Sequence, residues 1–245
     1  MAKKTLPTTE VISYAESYDG IQAGIVSLKD VLQSPSYQAD PDGPINDIQN
    51  DNWPAWAQTV LVLGLHHPEG DPRLDYWDRG DTRGNRRLRE ISKSLQYWLR
   101  WTYHISSCPL PYHVEKGGLF LKDAAVLSGI GIIGRNNLLI NPKWGPRLRL
   151  RAILLENEFQ TTGVLEGFSP CQNCKMYCQK ACPRKAFPHG KYSRLICSEQ
   201  MNEDQGNKAP YGEIRESGKR DLVISYCRAC EMSCPAGFKS LSWDQ

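Results

Sequence analysis

Of the nine cysteines in this 245-residue chain, eight lie beyond residue 170. They fall in two runs, Cys171-x2-Cys174-x3-Cys178-x3-Cys182-Pro183 and Cys227-x2-Cys230-x3-Cys234-Pro235, with Cys197 between them. Runs of the form C-x2-C-x2-C-x3-C-P wrap the backbone around one [4Fe–4S] cube and send the fourth cysteine to a second cube. By that logic Cys171, Cys174 and Cys178 share one cluster with Cys234, and Cys182 joins Cys197, Cys227 and Cys230 on the other. The count closes at four ligands each. The first run has three residues, not two, between its second and third cysteines, which makes Cys178 the ligand to check. Zinc is the alternative, because C-x2-C pairs also build tetrahedral sites. Zinc ribbons, however, rarely append C-x3-C-P to both halves. Cys108 stands alone and reads as a small buried residue.

The compartment supports metal over disulfides. No apolar signal segment or twin arginine follows Met1 to Thr5, and a cysteine cluster without an export signal points to metal in a cytoplasmic protein. No apolar run approaches ~20 residues, so no membrane span is expected. The composition, 40% hydrophobic and 23% charged, is that of a soluble globular protein. The net charge of +3 argues against a nucleic-acid partner, whose phosphates usually call for a basic surface.

Secondary-structure signals alternate over the first two thirds of the chain. A helix is expected over residues 8–18, a strand over 21–26, a helix over 27–33 and a long loop over 34–54. The apolar run Thr59–Leu65 reads as a buried strand. Leu88, Ile91, Leu95, Trp98 and Leu99 lie at helical spacing within 84–103. A helix is expected near 122–127 and a strand over 147–155. Beyond residue 168 apolar periodicity fades, and such a segment needs metal as its core. The reading is an α+β protein with an α/β domain over 1–160 and a two-cluster domain over 161–245.

Gly129-x-Gly131-x-x-Gly134 matches the dinucleotide fingerprint in letters only. That fingerprint needs a strand before it and a helix after it, whereas a helix precedes this one and an extended segment follows. A helix C-cap followed by tight turns fits the order; so does a loop that lets a bulky cofactor approach the backbone.

From Ser128 to Arg149 the chain contains Gly134-Arg-Asn-Asn-Leu-Leu-Ile140 and Trp144-Gly-Pro-Arg147. Followed by two ferredoxin-type runs, this stretch resembles the corrinoid iron–sulfur reductases, which comprise the epoxyqueuosine reductases and the reductive dehalogenases. The resemblance covers residues 120–235 well and 55–83 loosely. It implies a flavin-reductase-like (nitroreductase-like) domain that holds a base-off cobalamin beside a ferredoxin-like domain with two [4Fe–4S] clusters. Gly129, Gly131, Gly134, Arg135, Asn136, Asn137 and Arg147 would line the corrinoid. Glu115 takes the offset of the epoxyqueuosine reductases' acid, without its sequence setting. Tyr103 and Tyr112 are the candidates for the dehalogenases' tyrosine acid, with Arg135 as the cation that eases its ionisation.

No helical-repeat extension and no twin-arginine leader is seen in the sequence, so a short form is expected. The D-x-H-x-x-G cobalamin signature is also missing, with Leu65 where its aspartate would stand. His66 and His67 read as structural loop residues. Arg147, Arg149 and Arg151 alternate and would face one side of a strand, either as corrinoid anchors or as a solvated face. The expected activity is reduction of a small substrate by electrons passed from an external ferredoxin or flavodoxin through both clusters to cobalt. The alternatives are an electron-transfer or corrinoid-handling protein that reduces a partner's corrinoid, and an epoxyqueuosine reductase acting on tRNA.

Overall fold

The computed structural model of the protein describes residues 6–39, 52–212 and 220–237. In chain order its elements are α1 (Thr8–Glu16), β1 (Ile21–Ser27), α2 (Leu28–Leu32), α3 (Pro35–Gln38) and β2 (Thr59–His66). Next come β3 (Trp77–Asp78), β4 (Asp81–Thr82), α4 (Arg83–Tyr103), β5 (Ser107–Pro109), α5 (Leu121–Leu127), β6 (Ile132–Ile133), β7 (Leu139–Ile140) and β8 (Leu148–Leu155). The last are α6 (Tyr177–Lys180), α7 (Arg194–Gly206), β9 (Lys208–Tyr211), β10 (Asp221–Ile224) and α8 (Ala229–Met232). The protein is thus mixed α+β. The loop expected over 34–54 contains α3, and its residues 40–51 lie outside the described residues.

The chain divides into two compact units. The first comprises Met1–His66, Arg87–Ile132 and Leu148–Phe168, and the second His67–Arg86, Ile133–Arg147 and Ser169–Gln245. The last crossing, after Phe168, lies where apolar periodicity fades in the sequence, eight residues beyond the boundary expected at 160. The two earlier stretches of the second unit leave no such mark in composition.

In the first unit the sheet order is β1-β2-β8-β5, every neighbour antiparallel. β2 pairs on both sides, Ile21 opposite Leu65 and Thr59 opposite Leu155. Its run Val60 to Leu63 is fully buried, which is why it reads as continuous rather than alternating apolar sequence. α1 packs on β1, and α5 packs on β2 and β8. On α4, Leu88, Ile91, Leu95 and Leu99 are buried and form one stripe at helical spacing. Trp98 flanks that stripe, stacked on Tyr14 with ring centroids 4.0 Å apart.

α5 ends in a Schellman turn: the Ile130 amide donates to Ala125 O (2.9 Å) and the Gly129 amide to Val126 O (3.0 Å), with Gly129 at φ +74°. The dinucleotide reading is therefore excluded, and the C-cap reading holds. The capped turn sits against β1, where a Cβ on Gly24 would stand 2.4 Å from Ser128 O. That oxygen belongs to backbone held by the Thr162 hydroxyl, 2.7 Å away, so it has little room to yield. Gly24→Ala is expected to cost about 1–3 kcal/mol of stability, read as a lower urea midpoint at unchanged slope.

In the second unit the sheet order is β4-β3-β10-β9, again antiparallel. Val223 and Ile224 of β10 are buried there. The remaining buried apolar side chains of this unit are few among the described residues, and Cys178 and Cys234 are among them. α7 buries no residue at all. A unit so short of apolar core is the kind that metal stabilises.

Candidate metal centre

The cysteines of the two runs interleave in space within the second unit. Cys171, Cys174, Cys178 and Cys234 line one recess together with Asn136, Ile140, Pro170, Pro235 and Ala236. Its empty space is about 320 Å³, part of it open to solvent. Burial pushes the Cys234 thiol up to about 11, helped by Cys178, Cys171 and Cys174. Burial likewise raises Cys178, with Cys174 and Cys171 adding to it. Around the other cysteines the neighbours differ. Burial raises Cys227, with Asp204, Cys182 and Cys197 contributing. Burial pushes Cys230 up to about 12, with Cys227 and Cys197 next in weight. Tyr192 is raised by burial and then by its hydrogen bond with Cys197. A metal must displace the protons these thiols hold.

The recess fits a polynuclear centre. Its lining holds four thiols, no carboxylate and several apolar groups. Cys108 lies on β5 in the first unit, half-buried with its thiol raised by burial, and takes no part.

Much of the glycine–Arg–Asn stretch holds the cysteine loops in place. Asn136 is buried, and its amide Nδ2 donates to Cys230 O (3.4 Å). Arg147 is buried too; its Nη2 donates to Ala236 O (2.9 Å) and its Nη1 approaches Cys234 O at 3.5 Å. Burial pulls the Arg147 pKa down, against the carboxylate of Glu69. A Cβ on Gly145, at φ +61°, would stand 1.9 Å from Ala236 O, and one on Gly237, at φ +80°, would stand 2.2 Å from Gly145 N. Backbone is thus pressed on backbone beside Cys234, and only glycine permits it. Gly145→Ala is expected to displace the Cys234 loop and to roughly halve the iron the protein takes up on reconstitution; a ferrozine assay reads this directly.

The residues expected to line the corrinoid also make contacts within the protein. Asn136 and Arg147 spend polar atoms on cysteine-loop carbonyls. Gly134 is packed so tightly that an added Cβ would meet Ile140 at 2.2 Å, and one on Gly129 would meet Gly163 O at 2.6 Å. Gly131 is buried. Asn137 adopts φ +59°, and Arg135 is exposed with Nη1 3.2 Å from Met176 Sδ. Nor do the three arginines form one face of a strand. Arg147 precedes β8 and belongs to the second unit. Arg151 is buried and donates to Leu110 O (3.1 Å), so a solvated face is excluded.

The proposed acids lie in the first unit and Arg135 in the second. Tyr103 donates its hydroxyl to Glu10, and that hydrogen bond raises its pKa. The partner is an anion where a cation was expected, so the phenol is held protonated. Tyr103→Phe is expected to remove one tyrosine that ionises above the ordinary value of ~10, visible in an ultraviolet titration of tyrosinate. Tyr112 is exposed and packs edge-on against His113. Glu115 is exposed and pairs with His113 Nδ1 at 3.4 Å.

A buried ionic network escaped sequence reading. Arg228, between Cys227 and Cys230, donates from Nη1 to Asp75 and from Nη2 to Glu231, and its Nε lies 3.1 Å from the second Glu231 oxygen. Its Nη2 is also 2.7 Å from His67 Nδ1, which in turn lies 3.0 Å from an Asp75 oxygen. His67 Nδ1 therefore faces a donor and an acceptor at once. Burial pulls the Arg228 pKa down, but Glu231 and Asp75 outweigh it and leave it raised. His67 is structural, as expected, and its role is to tie residues 67–75 to the second cysteine run. The one sequence cue was an arginine inside a C-x2-C pair.

The α+β protein has counterparts of known sequence and structure. No family model matches the chain. It is 35% identical over 94 residues to a tetrachloroethene reductive dehalogenase of Desulfitobacterium hafniense, covering 36% of this chain and 16% of that protein. It is 23% identical over 195 residues to the epoxyqueuosine reductase of Lactococcus garvieae, covering 73% of this chain and 52% of that protein. The structure of epoxyqueuosine reductase from Streptococcus thermophilus superposes with a TM-score of 0.65 at 19% identity, over 94% of this chain and 65% of that one. A catabolic reductive dehalogenase in complex with 3-bromo-4-hydroxybenzoic acid superposes with a TM-score of 0.54 at 18% identity, over 76% of this chain and 26% of that one. The chain thus has relatives in both groups its sequence resembles, and it shares the fold of both. It spans about half the length of the epoxyqueuosine reductase and a sixth of the dehalogenase.

Proposed function

We propose that this protein is an iron–sulfur reductase of the corrinoid-linked kind, carrying electrons through two [4Fe–4S] clusters. The observation that carries the reading is the recess lined by Cys171, Cys174, Cys178 and Cys234, with cysteines of both runs on one cavity. In this reading the first cluster is held by those four, and the second by Cys182, Cys197, Cys227 and Cys230. The clusters, when bound, supply one-electron carriers. The protein's own residues desolvate them, hold their loops through Asn136 and Arg147, and keep carboxylates out of the first cluster's recess.

Cobalamin enters the reading through the resemblance to the two reductase groups. Five of the seven residues expected around it, Gly129, Gly131, Gly134, Asn136 and Arg147, are packed within the protein or bound to the cysteine loops, and the chemistry argued for this chain is that of the clusters. The same observation favours the second reading, an electron-transfer protein that reduces a partner's corrinoid. The test is anaerobic reconstitution with iron, sulfide and cobalamin, followed by gel filtration. Iron near eight per chain with a co-eluting corrinoid band supports the reductase reading. Iron without corrinoid leaves the electron-transfer reading, and two zinc ions in place of iron would remove both.

A further inference from the structure

The exposed segment that carries the first cysteine run is basic. Residues 167–198 contain Lys175, Lys180, Arg184, Lys185, Lys191 and Arg194 and no aspartate or glutamate. All six cations are exposed. Among the described residues only Arg184 of the six is paired with an acid, Glu203. The chain as a whole carries only +3, so this surplus is local and is balanced by acids elsewhere. Two large apolar side chains stand within it: Leu195 is 77% exposed and Tyr177 is 42% exposed, with Lys180 Nζ 5.9 Å from the Tyr177 ring. The cysteines in the same segment are partly open to solvent, namely Cys171, Cys174, Cys182 and Cys197.

From this juxtaposition we infer that residues 175–195 form the docking surface for an acidic one-electron carrier protein. The inference rests on the cluster reading above and names its electron entry point. Exposed apolar side chains set among charges of one sign are how transient partners are steered and oriented. A nucleic acid would also be drawn by the cations. The partly open cysteines of the same segment favour a partner that exchanges electrons there. One electron leaves the reduced carrier, which is oxidised, and enters a cluster, which is reduced; no bond forms or breaks.

The test uses the reconstituted full chain and a reduced flavodoxin of strongly negative charge, with cluster bleaching followed by anaerobic stopped flow. For the unaltered protein the second-order rate should fall steeply with added salt. Lys180→Glu, Lys191→Glu and Arg194→Glu together should lower the low-salt rate about 10- to 100-fold and flatten the salt dependence. Arg194 opens α7, where a glutamate suits the helix dipole, so the variant is expected to fold. Iron content and reduction by dithionite should stay unchanged. Lys93→Glu with Arg100→Glu, on the exposed face of α4, should leave the flavodoxin rate as it was. An unaltered rate and salt slope in the triple variant would overturn the inference. So would a slower rate in the α4 variant, or a triple variant that loses only RNA stem-loop binding. Failure of the unaltered protein to take up iron would instead sink the cluster reading itself, and the dithionite control tells the two apart.

Discussion

Replacing Cys234 by alanine is expected to lower the iron content of the reconstituted protein from about eight to about four per chain. The cluster lost should be the one that Cys171→Ala also removes. The basis is spatial rather than sequential. Cys234 closes the second run along the chain, yet it lines the recess of the first run with Cys171, Cys174 and Cys178. Conversely, Cys182→Ala and Cys227→Ala should remove the other cluster, since Cys182 and Cys197 are the cysteine neighbours that raise the Cys227 thiol. Iron assay with electron paramagnetic resonance of the reduced variants sorts the four proteins into two pairs. Shared loss in Cys234→Ala and Cys227→Ala would show that each run holds its own cluster and would refute the crossed pairing. The loss should also be felt as stability. Among the described residues the second unit buries few apolar side chains beyond two of the cysteines, so the free energy of binding metal is expected to be largely its free energy of folding.

The sequence carries some of this plainly and hides the rest for identifiable reasons. β2 was readable because Val60 to Leu63 are buried on both faces, and burial on both faces writes itself as an unbroken apolar run. α4 was readable because Leu88, Ile91, Leu95 and Leu99 repeat at helical spacing. β9 and β10 left no such trace, since a four-residue strand with no buried side chain (β9) or two adjacent ones (β10) has no period to detect. Asn136 and Arg147 were read as ligand contacts because polar residues in a glycine-rich loop could serve either a cofactor or the protein's own carbonyls. The carbonyls of Cys230 and Ala236 that they reach lie about ninety residues further along the chain, where no local pattern announces them. Tyr103 was assigned a cation and has Glu10 as its partner, from a helix some ninety positions earlier. Long-range pairs of this kind are set by packing and leave no local pattern.

The same reasoning applies to the network around Arg228, whose partners Asp75 and His67 lie 153 and 161 residues before it. Its exposure is 16%, that of Asp75 6% and that of His67 3%. Removing one member of a buried ion pair leaves a desolvated charge and costs about 3–5 kcal/mol, whereas removing both is far cheaper. Asp75→Ala is therefore expected to destabilise the second unit by about 3 kcal/mol, and Arg228→Met by about 3–5 kcal/mol. The double variant should cost clearly less than the sum of the two. Anaerobic urea unfolding of the cluster-loaded protein, followed by loss of cluster absorbance, measures all three. The distance of Asp75 from the cysteines along the chain makes its effect on the clusters informative. A surface pair would add little and fade with salt, but a pair this buried should keep its effect at high ionic strength. Additivity of the two substitutions within ~0.5 kcal/mol would mean the residues are not coupled, and the claim that residues 67–75 anchor the second cysteine run would fall. Coupling of 1 kcal/mol or more, insensitive to salt, would instead make this ionic network part of what holds Cys227 and Cys230 in register for a cluster.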